Sequence, residues 1–199
     1  YASLGSTHHS LEDISILRSI PNISILCPSD PNQVKVLLRE ALKKRGPVYI
    51  RLGKKNEPNF IERKNIGLMD QLVKGDMNCL INVGSILENV SKAGKFLEKK
   101  KINYSLYDLR YVKPLDIKNL KNIFKKYKNI FVIEEHYENG GSYSAILEEF
   151  NKMNKKRSRL FSIGIKNKFI KFCGNQKSAQ NITGLDPKTI AKKIEQKIQ

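Results

Sequence analysis

Residues 23–52, with the sequence ISILCPSDPNQVKVLLREALKKRGPVYIRL, decide the fold. Two compact apolar runs, residues 23–27 and 48–52, flank a stretch whose apolar residues recur at three- and four-residue spacing. The runs have the length of covered strands, and the stretch between them has the period of a helix. A strand, a helix and a second strand within about 30 residues predict a βαβ unit with parallel strands and a right-handed crossover.

The same alternation appears on both sides of this unit. Upstream, Ser10 and Asp13 have the S-x-x-D spacing of a capped helix start. Downstream, residues 53–59 lose all periodicity and predict a linker, after which the alternation resumes. Strands are predicted at 78–83, 103–109, 129–134 and 160–165, and helices at 86–101, 116–127, 142–153 and after Asp186-Pro187. The fold class is therefore α/β, with a partial parallel sheet over residues 1–57 and an open three-layer α/β domain over residues 61–199.

Composition narrows the function classes. The 199 residues are 40% hydrophobic and 28% charged, which excludes a disordered chain. The net charge of +18 suggests a nucleic acid or an anionic membrane as a partner. However, 29 of the 37 basic residues are Lys, and the Lys clusters lie at predicted helix ends, where they face water. We therefore expect a solvated basic surface without a specific nucleic acid or membrane partner. Apolar runs are too short to cross a bilayer, so we expect a cytoplasmic protein.

The three cysteines, Cys27, Cys79 and Cys173, are isolated and show no C-x-x-C spacing. This pattern argues against a disulfide framework and against a metal site, so no metal ligand is predicted.

Candidate site residues lie where ligands collect in such sheets, outside the carboxyl ends of the strands. Arg51 ends the second strand of the βαβ unit, where a guanidinium can grip a phosphate or carboxylate through two parallel hydrogen bonds. His8 and His9 lie in a loop before a predicted helix start, where an imidazole can exchange protons with a substrate hydroxyl. We expect these residues to converge on one cavity.

Several motifs carry a resemblance to a known family. In chain order they are GSTHHSLEDI at 5–14, LRSIPN at 17–22, PSD at 28–30, GPVYIRLG at 46–53, DLRYVKPLD at 108–116, VIEEH at 132–136 and the pair Gly140-Gly141. The first four resemble the latter part of the pyrimidine-binding domain of transketolases, and the others resemble the transketolase C-terminal domain. The resemblance covers nearly all of the chain.

The resemblance implies thiamine diphosphate chemistry with magnesium, in which the two-carbon unit of a ketose is passed to an aldose. It implies that His8 contacts substrate oxygens around the reacting carbon and is catalytic, that His9 helps to bind the substrate, and that Arg51 holds the sugar phosphate. It implies structural or interface use of Glu134, Glu135 and His136. Leu4 stands where full-length transketolases commonly carry an Asp that contacts a substrate hydroxyl, which puts the usual selectivity for ketose phosphates in question.

Most cofactor-binding residues of the family lie upstream of Tyr1, and the diphosphate and its metal ion belong to another domain. The resemblance therefore implies that this part of the chain is inactive alone and binds no cofactor tightly. It implies a partner, either a second copy or a separate N-terminal subunit that binds the diphosphate.

Three alternatives stay open, two within thiamine chemistry and one outside it. Within thiamine chemistry they are the β subunit of a 2-oxo acid dehydrogenase and deoxyxylulose phosphate synthase, although the doubled His8-His9 and the Arg51-Leu-Gly ending favour a transketolase. Outside it, the Lys-rich surface fits a basic binding or assembly module without an active site of its own, whose binding to a polyanion would fall steeply with salt.

Overall fold

The computed structural model describes residues 2–54, 57–60, 66–153 and 158–198. Its strands are β1 (Ser24–Leu26), β2 (Val48–Ile50), β3 (Met69–Val73), β4 (Asn78–Val83), β5 (Tyr104–Leu109), β6 (Tyr111–Lys113), β7 (Asn129–Tyr137) and β8 (Arg159–Ile165). Its α-helices are α1 (Asp13–Leu17), α2 (Pro31–Ala41), α3 (Leu87–Lys99), α4 (Ile117–Lys126), α5 (Ser142–Asn151), α6 (Gln176–Thr183) and α7 (Pro187–Ile198). Short 3₁₀ turns occupy Ala2–Leu4, Ser6–His8 and Gly84–Ile86. None of the helices in these ranges is long and apolar enough to span a lipid bilayer.

The described strands form two sheets. The smaller one has the order β2-β1-β6, and the larger one has the order β3-β5-β4-β7-β8. Strands β1 and β2 pair in parallel across α2, which confirms the predicted βαβ unit. Helix α2 begins at Pro31, which suits the first helical turn, and the side chain of Asp30 caps it by accepting a hydrogen bond from Gln33 N at 2.8 Å.

The larger sheet is covered on both faces, which confirms the three-layer α/β architecture. Alternate residues of β4 serve opposite faces: Leu80 packs against α3 and α7, and Ile81 packs against α4 and α5. Helix α1 and strand β1 join the second of these cores through Ile14 and Ile25, both fully buried. The N-terminal part, meaning the described residues up to 60, is thus packed on the C-terminal part, meaning the described residues from 66 onward.

The sheets are less uniformly parallel than the sequence suggests. Strand β3 pairs with β5 antiparallel at one edge of the larger sheet, and β6 pairs with β1 antiparallel in the smaller sheet. Between β5 and β6 stands the single residue Arg110, so the chain passes from one sheet to the other within one residue. The sequence predicts no strand at β6, because three residues are too few to show a strand period.

Helix α1 does not begin as its sequence predicts. Its first residue is Asp13, its N-cap position is Glu12, and the side chain of Ser10 makes no capping bond. The carboxylate of Asp13 is drawn away from the helix end by Tyr49 and Arg51, which donate to it from β2 and the residue after it. A tertiary contact has replaced the local cap.

Helix α6 is absent from the sequence-based predictions. This helix is short and polar, so no apolar stripe reveals it, although its two ends carry clear signals. Asn175 caps its start by accepting a hydrogen bond from Ser178 N, and Gly184 ends it in the left-handed conformation with a φ of 72°. Most other predicted elements differ from the observed ones only by a few residues at their ends.

A buried carboxylate joins the two parts of the chain. Asp108, on β5, is fully buried and accepts hydrogen bonds from Gln33 Nε2 at 2.7 Å, from Asn82 Nδ2 at 2.8 Å and from the hydroxyl of Ser29. The guanidinium of Arg110, also fully buried, lies 3.5 Å away through Nη1 and contacts Asp70 through Nη2 at 2.6 Å. Burial raises the pKa of Asp108, and these hydrogen bonds and Arg110 oppose that rise.

We predict that Asp108→Asn lowers the free energy of unfolding by about 3 kcal/mol or more, because it turns one acceptor into a donor that faces other donors and leaves Arg110 without its nearest buried charge. Urea unfolding followed by circular dichroism measures the loss. As a control, Glu148→Gln removes an exposed ion pair with Arg18 and should cost less than about 1 kcal/mol. Equal losses of the free energy of unfolding in the two variants would show that the buried carboxylate stabilises the fold no more than an exposed ion pair does.

Candidate functional site

Two backbone segments build the site. The loop over residues 5–10 begins at Gly5, whose φ of 75° favours glycine, passes through the 3₁₀ turn and reaches His9 in an extended conformation. A side chain at position 5 would also meet Cys173, because a Cβ built there lies 2.8 Å from its Sγ. Facing the loop, the backbone N–H of Arg51 donates to Leu26 O at 2.8 Å and continues the ladder of β1 and β2 by one residue.

The structure brings all three predicted site residues to one cavity. His8, His9 and Arg51 line a cavity of about 1200 Å³, in which Tyr49 and Asp13 also take part. Its far wall is made by residues of α3 and α6 and by Glu135 of β7. Ligand sites of α/β proteins lie at the carboxyl ends of parallel strands, and this cavity lies beyond the ends of β1 and β2.

Arg51 is held by bonds within the chain. Its Nε donates to Asp13 Oδ2 at 2.7 Å, and its Nη2 donates to Ser10 O at 2.8 Å and to Glu135 O at 2.9 Å. Among the described residues, no group accepts a hydrogen bond from Nη1. The two-bond grip that the sequence suggests would need a second nitrogen, and in this arrangement both candidates are engaged.

Asp13 is the centre of this arrangement. Its Oδ2 accepts from Arg51 and from the hydroxyl of Tyr49, at 2.7 and 2.8 Å, and its side chain is 7% exposed. Burial lowers the pKa of Arg51, but Asp13, Cys27 and Glu135 each raise it, and together they leave the pKa above its usual value. Burial and the hydrogen bond to Asp13 raise the pKa of Tyr49 to about 12, so Tyr49 is a hydrogen-bond donor at neutral pH.

The two adjacent histidines have different surroundings. His8 is exposed, and its Nδ1 lies 3.0 Å from the hydroxyl of Thr7, so one ring nitrogen is engaged and the other is available to a ligand. His9 is half-buried, and neither of its ring nitrogens, both shielded from solvent, has a hydrogen-bond partner in the described chain. Burial lowers the pKa of His9, which favours the neutral imidazole.

The motif VIEEH near the end of β7 has mainly structural contacts. Glu134 Oε2 and Oε1 accept hydrogen bonds from Ser142 N and Tyr143 N at the start of α5, at 2.8 and 2.9 Å. His136 is fully buried and its Nε2 faces Ser15 N at 3.4 Å, which ties β7 to α1. Gly141 leaves room for both side chains, since a Cβ there would lie 2.6 Å from His136 Nδ1 and 2.7 Å from Glu134 Oε2.

Glu135 is a cavity residue that the sequence does not indicate. Its carboxylate accepts from Gln176 Nε2 at 2.7 Å and from Gln180 Nε2 at 3.2 Å, and its carbonyl oxygen accepts from Arg51. Burial raises its pKa, and Arg51 opposes the rise. Recognition of α6 from its capping residues would have indicated a partner for Glu135. Gln176 and Gln180 are four residues apart and therefore lie on one face of that helix.

Leu4 lies apart from these residues. It ends the first 3₁₀ turn, is 49% exposed and is not among the described residues that line the cavity. An apolar side chain there cannot accept a hydrogen bond from a substrate hydroxyl.

Comparison with known proteins defines the class. Residues 1–59 match the transketolase pyrimidine binding domain, and residues 67–190 match the transketolase C-terminal domain. The chain belongs to the transketolase family, as its motifs suggest.

Individual relatives are more varied. The chain is 34% identical over 197 residues to a 1-deoxy-D-xylulose-5-phosphate synthase of Dictyoglomus turgidum, and 32% identical over 197 residues to one subunit of an apulose-4-phosphate transketolase of Actinobacillus succinogenes. Each alignment covers 96% of the chain, but only 31% of the synthase and 62% of the transketolase subunit.

Solved structures show the same fold. A split-gene transketolase, described as an inactive beta4 tetramer, superimposes with a TM-score of 0.85 at 23% identity, over 96% of this chain and 62% of that one. A transketolase of Pichia stipitis, solved with sedoheptulose 7-phosphate, superimposes with a TM-score of 0.73 at 19% identity, over 98% of this chain and 28% of that one.

We predict that His9 titrates below the usual histidine pKa of about 6.5. Between the pKa of the unfolded chain and the lower pKa of the folded chain, only the unfolded chain binds a proton at His9. The contribution of His9 to the free energy of unfolding is therefore fully present above the unfolded-state pKa and is lost as the pH falls through the folded-state pKa. Histidine ring NMR across the pH range measures the value, with His9→Gln used to assign the signal. A His9 pKa at or above 6.5 would contradict the burial argument.

Proposed function

We propose that this chain is the C-terminal part of a cytoplasmic, thiamine diphosphate-dependent transketolase that transfers two-carbon ketol units between sugar phosphates. Residues 1–57 would be the end of the pyrimidine-binding domain and residues 61–199 the C-terminal domain. The proposal is supported by the family and by one observation above all, that His8, His9 and Arg51 line a single cavity.

The roles follow from the contacts. His8, exposed and with one ring nitrogen available, is suited to hydrogen-bond substrate oxygens and to exchange a proton with a hydroxyl beside the reacting carbon. His9, which is neutral and half-buried, lies at the wall beside it and would bind substrate through a ring nitrogen once the loop adjusts. Arg51 offers Nη1 to the phosphate of the sugar.

The residues present fit the substrate end of a thiamine diphosphate enzyme. When bound in the complete enzyme, the cofactor would supply a carbanion able to attack a ketose carbonyl. The described residues contain no cluster of three or more His, Cys, Asp or Glu side chains that could hold a metal ion. We therefore propose that magnesium and the diphosphate are bound by the rest of the protein, and that this part is inactive alone.

A partner follows from this division of the site. The Actinobacillus relative is named as one subunit of a transketolase, and this chain covers 62% of it. We propose that the complete protein associates with a second copy or with a separate subunit that binds the diphosphate.

A second function has support of its own, because several of the relatives are named 1-deoxy-D-xylulose-5-phosphate synthase, at 30% to 34% identity. A synthase of this name forms 1-deoxy-D-xylulose 5-phosphate, so its product carries a phosphate group, as the sugar phosphates of a transketolase do. The contacts of Arg51 fit a phosphate in both cases.

The test is an assay of the complete protein, with its partner subunit where it has one, in thiamine diphosphate and magnesium. We expect ketol transfer from xylulose 5-phosphate, and a loss of at least about 100-fold in kcat/KM in His8→Ala and in Arg51→Ala, because each removes a positioned hydrogen-bonding group. Formation of 1-deoxy-D-xylulose 5-phosphate, without ketol transfer, would favour the synthase.

Arg39→Ala is the matched control, since it removes an exposed arginine of α2. It should keep wild-type turnover. Full activity in His8→Ala and Arg51→Ala, with the fold intact by circular dichroism, would remove both residues from the mechanism.

A further inference from the structure

We propose that Asp13 is the positioning residue of this site, which clamps the Arg51 guanidinium so that a sugar phosphate meets one directed donor and not a two-pronged grip. The inference rests on the proposed function. It concerns a residue without a predicted role in substrate binding, since the sequence predicts only helix capping for Asp13.

Three acceptors from three segments hold the guanidinium. The carboxylate of Asp13 takes Nε, and the carbonyl oxygens of Ser10 and Glu135 share Nη2, all at 2.7 to 2.9 Å. A carboxylate in bond contact with Nε fixes the plane of the group, because rotation about the last side-chain bond would break all three contacts at once. Nη1 is the nitrogen that this clamp leaves to the cavity.

The clamp is buried enough to be rigid. The side chains of Asp13 and Arg51 are 7% and 15% exposed, so their ion pair is shielded from solvent and is little weakened by salt. Tyr49 fixes the carboxylate from a second direction, through a hydroxyl 2.8 Å from the same Oδ2. The guanidinium of Arg51 therefore keeps one position, and a phosphate can bind it only where it meets Nη1.

In this arrangement Asp13 weakens the binding of phosphate to Arg51 and fixes the position in which the sugar phosphate binds. The carboxylate competes with the ligand for the same cation, so its removal should free the guanidinium to bind phosphate at least as tightly. The freed group would no longer hold the sugar in one position, and a displacement of about 1 Å can cost about 100-fold in rate.

The experiment uses the complete enzyme with thiamine diphosphate and magnesium, and compares wild type with Asp13→Asn. We expect kcat for a sugar phosphate to fall by about 10- to 100-fold, while inorganic phosphate inhibits at the same or a lower concentration. A purely structural role would weaken turnover and phosphate inhibition together, and that result would overturn the proposal.

The Arg51→Lys background makes the test specific. If Asp13 acts through Arg51, Asp13→Asn should change kcat by less than about 2-fold once Arg51 is Lys, because there is no guanidinium left to align. The full loss in both backgrounds would contradict the clamp. Asp76→Asn, on an exposed turn, is the matched control and should leave all values unchanged.

Tyr49→Phe covers the case in which Asp13→Asn does not fold. It removes one of the two donors to the carboxylate and keeps the ion pair, so we expect a smaller fall in kcat, of about 3-fold, again without weaker phosphate inhibition. An unchanged kcat in this variant would count against the clamp.

The outcomes separate the two proposals. An enzyme without ketol transfer, or one in which Arg51→Lys behaves like wild type, would overturn the proposed function of the site. An enzyme impaired by Arg51→Lys but indifferent to Asp13→Asn would overturn only the clamp.

Discussion

The burial of one carboxylate constrains the rest of the molecule. Asp108 has left water completely, and a charge in such a place must be matched by donors from every side. Ser29 and Gln33 come from the N-terminal part, and Asn82 comes from the C-terminal part. Because a hydrogen bond to a buried charge cannot be broken cheaply, the two parts are held in one relative position. The PSD and DLR motifs, nearly 80 residues apart, are therefore the two halves of one contact.

The cavity depends on that fixed relation. Arg51 belongs to the N-terminal part, but one of its three acceptors is a carbonyl oxygen of β7. His136 and the glycine pair at 140–141 allow the same strand and loop to approach α1, where Gly140 lies so close that a Cβ would be 2.5 Å from that of Ser15. A part of the chain that the family resemblance connects mainly with subunit contact thus also shapes the wall of the candidate site.

Local patterns predicted what local physics determines. The apolar residues of β4 located that strand to the residue, and Asp186-Pro187 located the start of α7. The histidines and Arg51 could be selected because the ends of parallel strands converge. Strands β3 and β6 and helix α6 lacked a signal of that kind, since two are short or polar and the edge strand β3 is only partly buried. The contacts of Asp13 and Glu135 could not be foreseen, because their partners are 36 to 84 residues away and only the packed structure brings them together.

The thiol of Cys173 gives this architecture a practical use. Cys27 and Cys79 are buried, and burial raises the pKa of Cys27 to about 12, so both resist alkylation, whereas Cys173 is open to solvent. Its sulfur occupies the space beside Gly5, at the root of the loop that carries the two histidines. A small fluorophore coupled through a maleimide should therefore attach at one position, next to the loop, and its emission would report when substrate or a partner subunit moves that loop.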